Sequence, residues 1–380
     1  MKAIINGKII MEESIMEDQA IVFDNKIIDI IDKEQLKEDL NLDLIDVGGR
    51  YVAPGFIDLH IHGAGGRDTM DASIEALTDI SSIILETGVT AFLPTTMTMD
   101  KENIYQALNI IRDSMDSNLQ GAKILGAHLE GPFINKKYKG AQDAKYIQKP
   151  SYEFIKDYLD IIKIITLAPE VDQGYGFISK MKEHDIVLSM GHSNATYEEA
   201  MEAIKRGISH ATHIFNAMTP LHHREPGVVG SVFASNITCE LIADKIHVHP
   251  GIFQMLVDIK GEDRVVLISD SMRAACMRDG VYDLGGQQVR VKDGSARLTD
   301  NTLAGSVLTL NQALKNIIEH TELSLIDAIK MVTLNQAKLI GIDKYKGSIK
   351  KGKDADVVVF DKEVNISLTI VEGEILYRKL

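Results

Sequence analysis

Three scarcities narrow the reading of this 380-residue chain before any motif is considered. Only two cysteines occur, Cys239 and Cys276, and neither belongs to a Cys-x-x-Cys pair. That excludes a thiolate zinc knuckle and argues against a disulfide framework, so both are expected as buried thiols. Positive charge is in deficit: 41 Lys plus Arg against 55 Asp plus Glu give a net charge of −14. Nucleic acid and anionic membrane are thereby disfavoured as partners. A small anionic substrate stays open, because a pocket can be locally basic. No apolar run approaches the ~18 uninterrupted residues of a membrane span, and the opening MKAIINGKII lacks the apolar core of a signal peptide. The expectation is a cytoplasmic protein.

What the chain has in quantity is apolar strand. Apolar residues make up 45% of it, enough for a large core. The run YVAPGFIDLHIH (51–62) follows a Gly-Gly turn signal and reads as one buried strand ending in His60 and His62. Residues i and i+2 of a strand share a face, so the two imidazoles converge, just before the flexible GAGG at 63–66. Seven further strand-like runs follow, at 89–96, 123–131, 161–170, 186–193, 208–216, 239–248 and 265–271, with helical patterns such as 74–87, 103–115 and 197–206 between them. Alternation of this kind argues for a parallel sheet with right-handed crossovers, and eight units argue for closure into a (β/α)₈ TIM-like barrel. Both ends of the chain instead carry short strands with hairpin turns. Residues 1–52 and 353–380 are therefore expected to form one small β-sandwich domain beside a barrel hydrolase domain spanning 53–352. An inserted hairpin at 285–300, turning at Asp293-Gly294, and two helical patterns at 308–320 and 325–339 complete the chain.

Chemistry in such a barrel sits at the carboxyl ends of the strands. Here those ends carry His60 and His62, His128 and Glu130, His192, His210 and His213, His247 and His249, and Asp270. Imidazoles with carboxylates and no paired thiolates suit zinc, iron or manganese better than calcium or magnesium. Such a metal lowers the pKa of bound water, and an aspartate beside it can accept and pass on the proton, which is machinery for hydrolysis. Glu130, in the apolar context GAHLEGP, has no cation nearby in sequence and reads as a ligand. Asp270 reads as catalytic, with a helix cap as the bland alternative. His128 stands open between ligand and outer hydrogen-bond donor, His210 reads as structural, and Lys163 as closing the barrel bottom.

The stretches HLEGPF (128–133), MGHSNAT (190–196), ATHIFNAM (211–218), REPG (224–227) and LAGS (303–306) together resemble the N-acetylglucosamine-6-phosphate deacetylases of the amidohydrolase superfamily. The resemblance runs from PGFIDLHIHG to the C-terminal β segment. It implies that Glu130, His192 and His213 hold one divalent metal, and that His60 and His62, sharing Glu130, hold a second. It further implies Asp270 as general acid/base and Asn216 and Ala217 as contacts to the sugar. His247 and Arg224 would hold the 6-phosphate, the arginine reaching across a homodimer, and Leu303, Ala304 and Gly305 would close over the substrate. Many relatives have a histidine in the loop after HLEGP. Here that loop reads KGAQ, so the resemblance implies that Ala141 and Gln142 would face the substrate, with an amide that can donate a hydrogen bond but carries no charge.

Two other readings are weaker. Cyclic-amide hydrolases of the same architecture bridge two metals with a carboxylated lysine at the end of strand four, where this chain has TLAPE. A barrel kept only as a binding protein would show eroded ligands, and none is missing.

Overall fold

The structure, a computed structural model, describes residues 1–36, 42–115, 117 and 119–379. Eight parallel strands form the central barrel: β1 (Phe56–Ile61), β2 (Val89–Pro94), β3 (Ala127–Glu130), β4 (Ile162–Leu167), β5 (Val187–Met190), β6 (His210–Ala211), β7 (Thr238–Leu241) and β8 (Val265–Leu267). β3 to β8 pair in sequence order, and β2 pairs with β1. The ring closes through isolated bridges, Thr95 with His128 and Ile61 with Ser271. Main-chain bonds reinforce the second joint, with Asp270 N donating to His60 O at 2.8 Å and His62 N to Ser271 O at 2.9 Å. Every residue of β1 and β2 is buried, as strands covered on both faces require.

The helices begin where the sequence signals them. Thr196 and Glu199 form a reciprocal capping box on Tyr197–Arg206, which stops at Gly207. Ser73 caps Ile74–Ile83. The helical pattern at 325–339, by contrast, is two helices, Leu325–Lys330 and Leu334–Leu339. Between them the carbonyls of Met331 and Val332 turn outward to accept from Leu267 N and Ile57 N, sealing the barrel floor.

Two strand-like runs are also divided. The run 51–62 is two strands: Tyr51–Pro54 belongs to a terminal sheet, and β1 starts after Gly55, where a Cβ would collide with Thr90. The run 123–131 breaks at Gly126, whose φ of 141° suits only glycine and whose Cβ would strike the Ile161 carbonyl. β6 and β7 are shorter than their apolar runs, so His213, His247 and His249 stand on loops beyond the strands.

The two chain ends build a four-stranded sheet from residues before 47 and a six-stranded sheet that joins Lys8–Ile10, Ile15–Met16 and Tyr51–Pro54 to Val357–Phe360, Ile366–Val371 and Glu374–Arg378. Ile4, Ile21, Phe23, Val52, Val359 and Leu368 pack between these sheets in a core separate from the barrel's. The predicted insert is a three-stranded antiparallel sheet, Gly280–Leu284, Gln287–Lys292 and Ser295–Leu298. Asp293 and Gly294, at φ 51° and 76°, supply the two left-handed positions its tight turn needs. Cys239 is buried as expected, but Cys276 is exposed, because it follows the barrel on a surface turn. Among the described residues no helix is long and apolar enough to cross a membrane.

Candidate active site

The strand ends open into a cavity of about 460 Å³. Glu130, the last residue of β3, is almost fully buried at its floor. His192 and His213 each bring Nε2 to 3.2 Å from Glu130 Oε1, and the two nitrogens lie 3.2 Å apart. Three donor atoms so spaced match one face of a tetrahedron around a metal, whose edge is about 3.3 Å for bonds of about 2.0 Å. On the other side of the carboxylate, His60 Nε2 lies 3.5 Å from Oε1 and His62 Nε2 lies 3.3 Å from Oε2. Asp270 Oδ1 is 3.4 Å and 3.3 Å from those nitrogens. Glu130 thus stands between two candidate donor groups, one with His192 and His213, the other with His60, His62 and Asp270.

The backs of the rings are pinned. Nδ1 of His60 donates to Glu240 Oε2 at 3.0 Å, that of His62 to Thr95 O at 3.2 Å, and that of His192 to Tyr138 O at 2.9 Å. A proton on Nδ1 leaves the Nε2 lone pair facing inward, as a metal ligand needs. His60 Nε2 is sealed from solvent without a hydrogen-bond partner. An unpartnered imidazole nitrogen buried among carboxylates fits a divalent cation.

Burial opposes charge on His60, Glu130 and Asp270, yet the cluster overrides it. Glu240, Asp270 and Glu130 lift His60 to about 9 against its burial. Burial likewise works against the Glu130 carboxylate, but the surrounding histidines hold it well below the usual range. Asp270 is also lowered despite burial, chiefly by His60 and His62, and is ionised at neutral pH.

Three of these residues have left-handed backbone: His192 (φ 48°), His213 (φ 30°) and Asp270 (φ 46°). Each follows shortly after its strand ends. For non-glycine residues such conformations cost on the order of 1–3 kcal/mol each, and they concentrate at functional sites.

Of the other predicted residues, Ala141, Gln142, Asn216, Ala217, His247, Leu303 and Gly305 line the cavity. Ala304 does not; between Leu303 and Gly305 it faces the opposite way, into a cluster with Met272, Leu284 and Val289. His247 is held on its loop by Asp244, its Nδ1 donating to Oδ2 at 2.7 Å. Gln142 is fixed at both ends: its Oε1 accepts from Thr98 N and its Nε2 donates to Glu130 Oε2, both at 2.7 Å. Arg224 is exposed, its Nη1 donating to His223 Nε2 at 2.6 Å, and absent from its own chain's cavity wall. His128 stands behind the centre, Nδ1 donating to Leu59 O and Nε2 accepting from Thr166. Burial and the charge of His60 push it down to about 3, so it is neutral. His210 bonds Thr238 at 2.6 Å and is structural.

Sequence reasoning missed Glu240. It sits in the apolar run of β7, the same signal that singled out Glu130. It also missed Lys137, Tyr138, Arg297 and Thr302, which line the cavity from loops.

The family model for the amidohydrolase family matches residues 51–376. The chain belongs to the amidohydrolase family. This amidohydrolase is 41% identical over 386 residues to the N-acetylglucosamine-6-phosphate deacetylase of Bacillus subtilis (strain 168), covering 96% of this chain and 98% of that protein. It superposes on the crystal structure of N-acetylglucosamine-6-phosphate deacetylase from Pasteurella multocida with a TM-score of 0.94 at 34% identity, over 98% of this chain and 99% of that one. A Mycobacterium smegmatis deacetylase variant, solved in complex with N-acetyl-D-glucosamine-6-phosphate, matches with a TM-score of 0.91 at 26% identity, over 99% of each chain. The resemblance carried by the motifs of this amidohydrolase is borne out.

Proposed function

We propose that the protein removes the acetyl group of N-acetylglucosamine 6-phosphate, giving glucosamine 6-phosphate and acetate. The observation that carries this reading is the meeting of two donor groups at Glu130, beneath a cavity that also presents Asn216, Ala217 and His247. Divalent metal bound there, as zinc, iron or manganese, supplies Lewis acidity towards the amide carbonyl and a water of lowered pKa. Two ions per chain are supported by the presence of both His60 and His62 beside a complete Glu130, His192 and His213 set.

Asp270 Oδ1, ionised and facing the cavity, takes a proton from the attacking water and returns it to the departing amide nitrogen. Gln142, already tied to Glu130, has a second amide hydrogen free for the substrate. Asn216 and Ala217 orient the sugar, Leu303 and Gly305 cover it, and His247 Nε2 points to the phosphate end. Arg224 serves the same phosphate in the neighbouring subunit of a homodimer; its exposure, away from its own cavity, is what supports this. A phosphorylated sugar goes with a cytoplasmic location.

The test is incubation of the metal-loaded protein with N-acetylglucosamine 6-phosphate and with N-acetylgalactosamine 6-phosphate. Acetate and free amine should appear in equal amounts, faster from the glucosamine compound. Absence of acetate from both, with metal bound, would overturn the reading.

A further inference from the structure

The three-stranded insert has two unlike faces. Leu284, Val289, Val291 and Ala296 pack inward against Met97 and Met272 beside the catalytic cavity. The outer face of Gln287–Lys292 carries Gln288, Arg290 and Lys292, all exposed and spaced two apart. On the neighbouring strand, Arg297 stands directly opposite Arg290, and Ser295 opposite Lys292. Like charges placed opposite one another in an antiparallel pair are destabilising. This pair is not relieved: among the described residues no carboxylate lies within 4.0 Å of Arg290, Lys292 or Arg297, although the chain carries 14 excess negative charges.

These residues line a second cavity of about 590 Å³, which Asp293 and Asn301 also border. Arg297 belongs to its wall and to the wall of the catalytic cavity. The guanidinium is held in place, Nε donating to Ser295 Oγ and Nη1 to Asn301 O, both at 2.9 Å. Its remaining N–H groups stay free for a ligand. A planar fork fixed at the boundary of two cavities, with two exposed cations on the outer side, suits an oxyanion that arrives outside and continues inward.

We propose that this face is a capture site for the phosphomonoester dianion of the sugar substrate, with Arg290 and Lys292 receiving it and Arg297 handing it to the catalytic cavity. The proposal rests on the deacetylase reading above. It answers a difficulty of that reading: an acidic protein repels a dianion at long range, so a local positive field must reverse the sign near the entrance. At ~0.1 M salt such a field reaches about 10 Å, and it weakens as salt rises.

The experiment compares wild type with the double variant Arg290→Gln/Lys292→Gln, measuring kcat and KM for N-acetylglucosamine 6-phosphate across ionic strength. Both side chains are exposed, and removing one arginine of the opposed pair should leave thermal stability equal or higher. The variant should lose about tenfold in kcat/KM at low salt, all of it in KM, and the gap should close in concentrated salt. Arg297→Gln should lose at least as much and keep part of its deficit at high salt, because it also faces the catalytic cavity. Identical kcat/KM and identical salt dependence in the double variant and an active wild type would overturn the capture site alone. A wild type that releases no acetate would overturn the deacetylase reading and, with it, the ligand named here.

Discussion

Glu240 shows how much of the centre depends on residues that do not face the cavity. It accepts from His60 Nδ1 and also from the backbone N–H of His213, both at 3.0 Å, so one buried carboxylate steadies a member of each donor group. Glu240→Gln keeps the shape but loses the charge that holds the imidazole. Affinity for metal should fall about tenfold to a hundredfold, read by competition with a chelator, with the fold intact. Unchanged affinity would reduce Glu240 to a packing residue. The same charges set the pH behaviour. The metal-free centre holds protons, His60 among them with its pKa raised to about 9, and a metal must displace them. Uptake therefore releases protons, and affinity should rise as pH rises toward about 9; affinity independent of pH would contradict that. At this scale the sequence was informative where a polar residue interrupts an apolar run, as at Glu130. His128 was harder to read, since a ligand and a hydrogen-bonded core histidine differ only in what surrounds them.

Elements bring these side chains together by ending early. The apolar runs at 208–216 and 239–248 continue past β6 and β7 because the first residues beyond the strands, Thr212 to Ile214 and Ile242 to Ala243, are buried as well. Hydrophobicity therefore says nothing of where hydrogen bonding stops. Left-handed turns at His192, His213 and Asp270 then swing the chain inward, and no sequence period records them. His60 and His62 are the opposite case: they differ by two where β1 ends, His62 directly following Ile61, and extended geometry places them on one face. Replacing both with Ala should leave one metal per chain, held by Glu130, His192 and His213. Elemental analysis giving the same stoichiometry before and after would refute the two-site arrangement. Gly126 tests the division of the third strand. Gly126→Ala forces a Cβ against the Ile161 carbonyl at a φ that alanine avoids, and should cost about 2 kcal/mol or more in unfolding experiments. A neutral effect would mean that the break can move.

For the whole molecule, the βα rhythm made the barrel legible, and the matching texture of the two termini made their pairing legible. A homodimer is implied by the resemblance alone, because an interface is recorded in no single chain's periodicity. Arg224 is where this matters: it belongs to the site by motif, yet it lies outside its own cavity wall. If it serves the neighbouring subunit, Arg224→Ala should lose about 2–4 kcal/mol in kcat/KM for the phosphorylated sugar and far less for the unphosphorylated one. Equal loss on both would assign it to fold or assembly instead. The central claim is hydrolysis of an acetamide at the Glu130 centre with Asp270 moving the proton. Acetate release from N-acetylglucosamine 6-phosphate, with metal content determined on the same samples of wild type and Asp270→Asn, tests it most directly. Both proteins should hold the same metal, while the variant turns over ~10²-fold more slowly or worse. Near-equal turnover at equal metal content would contradict the account.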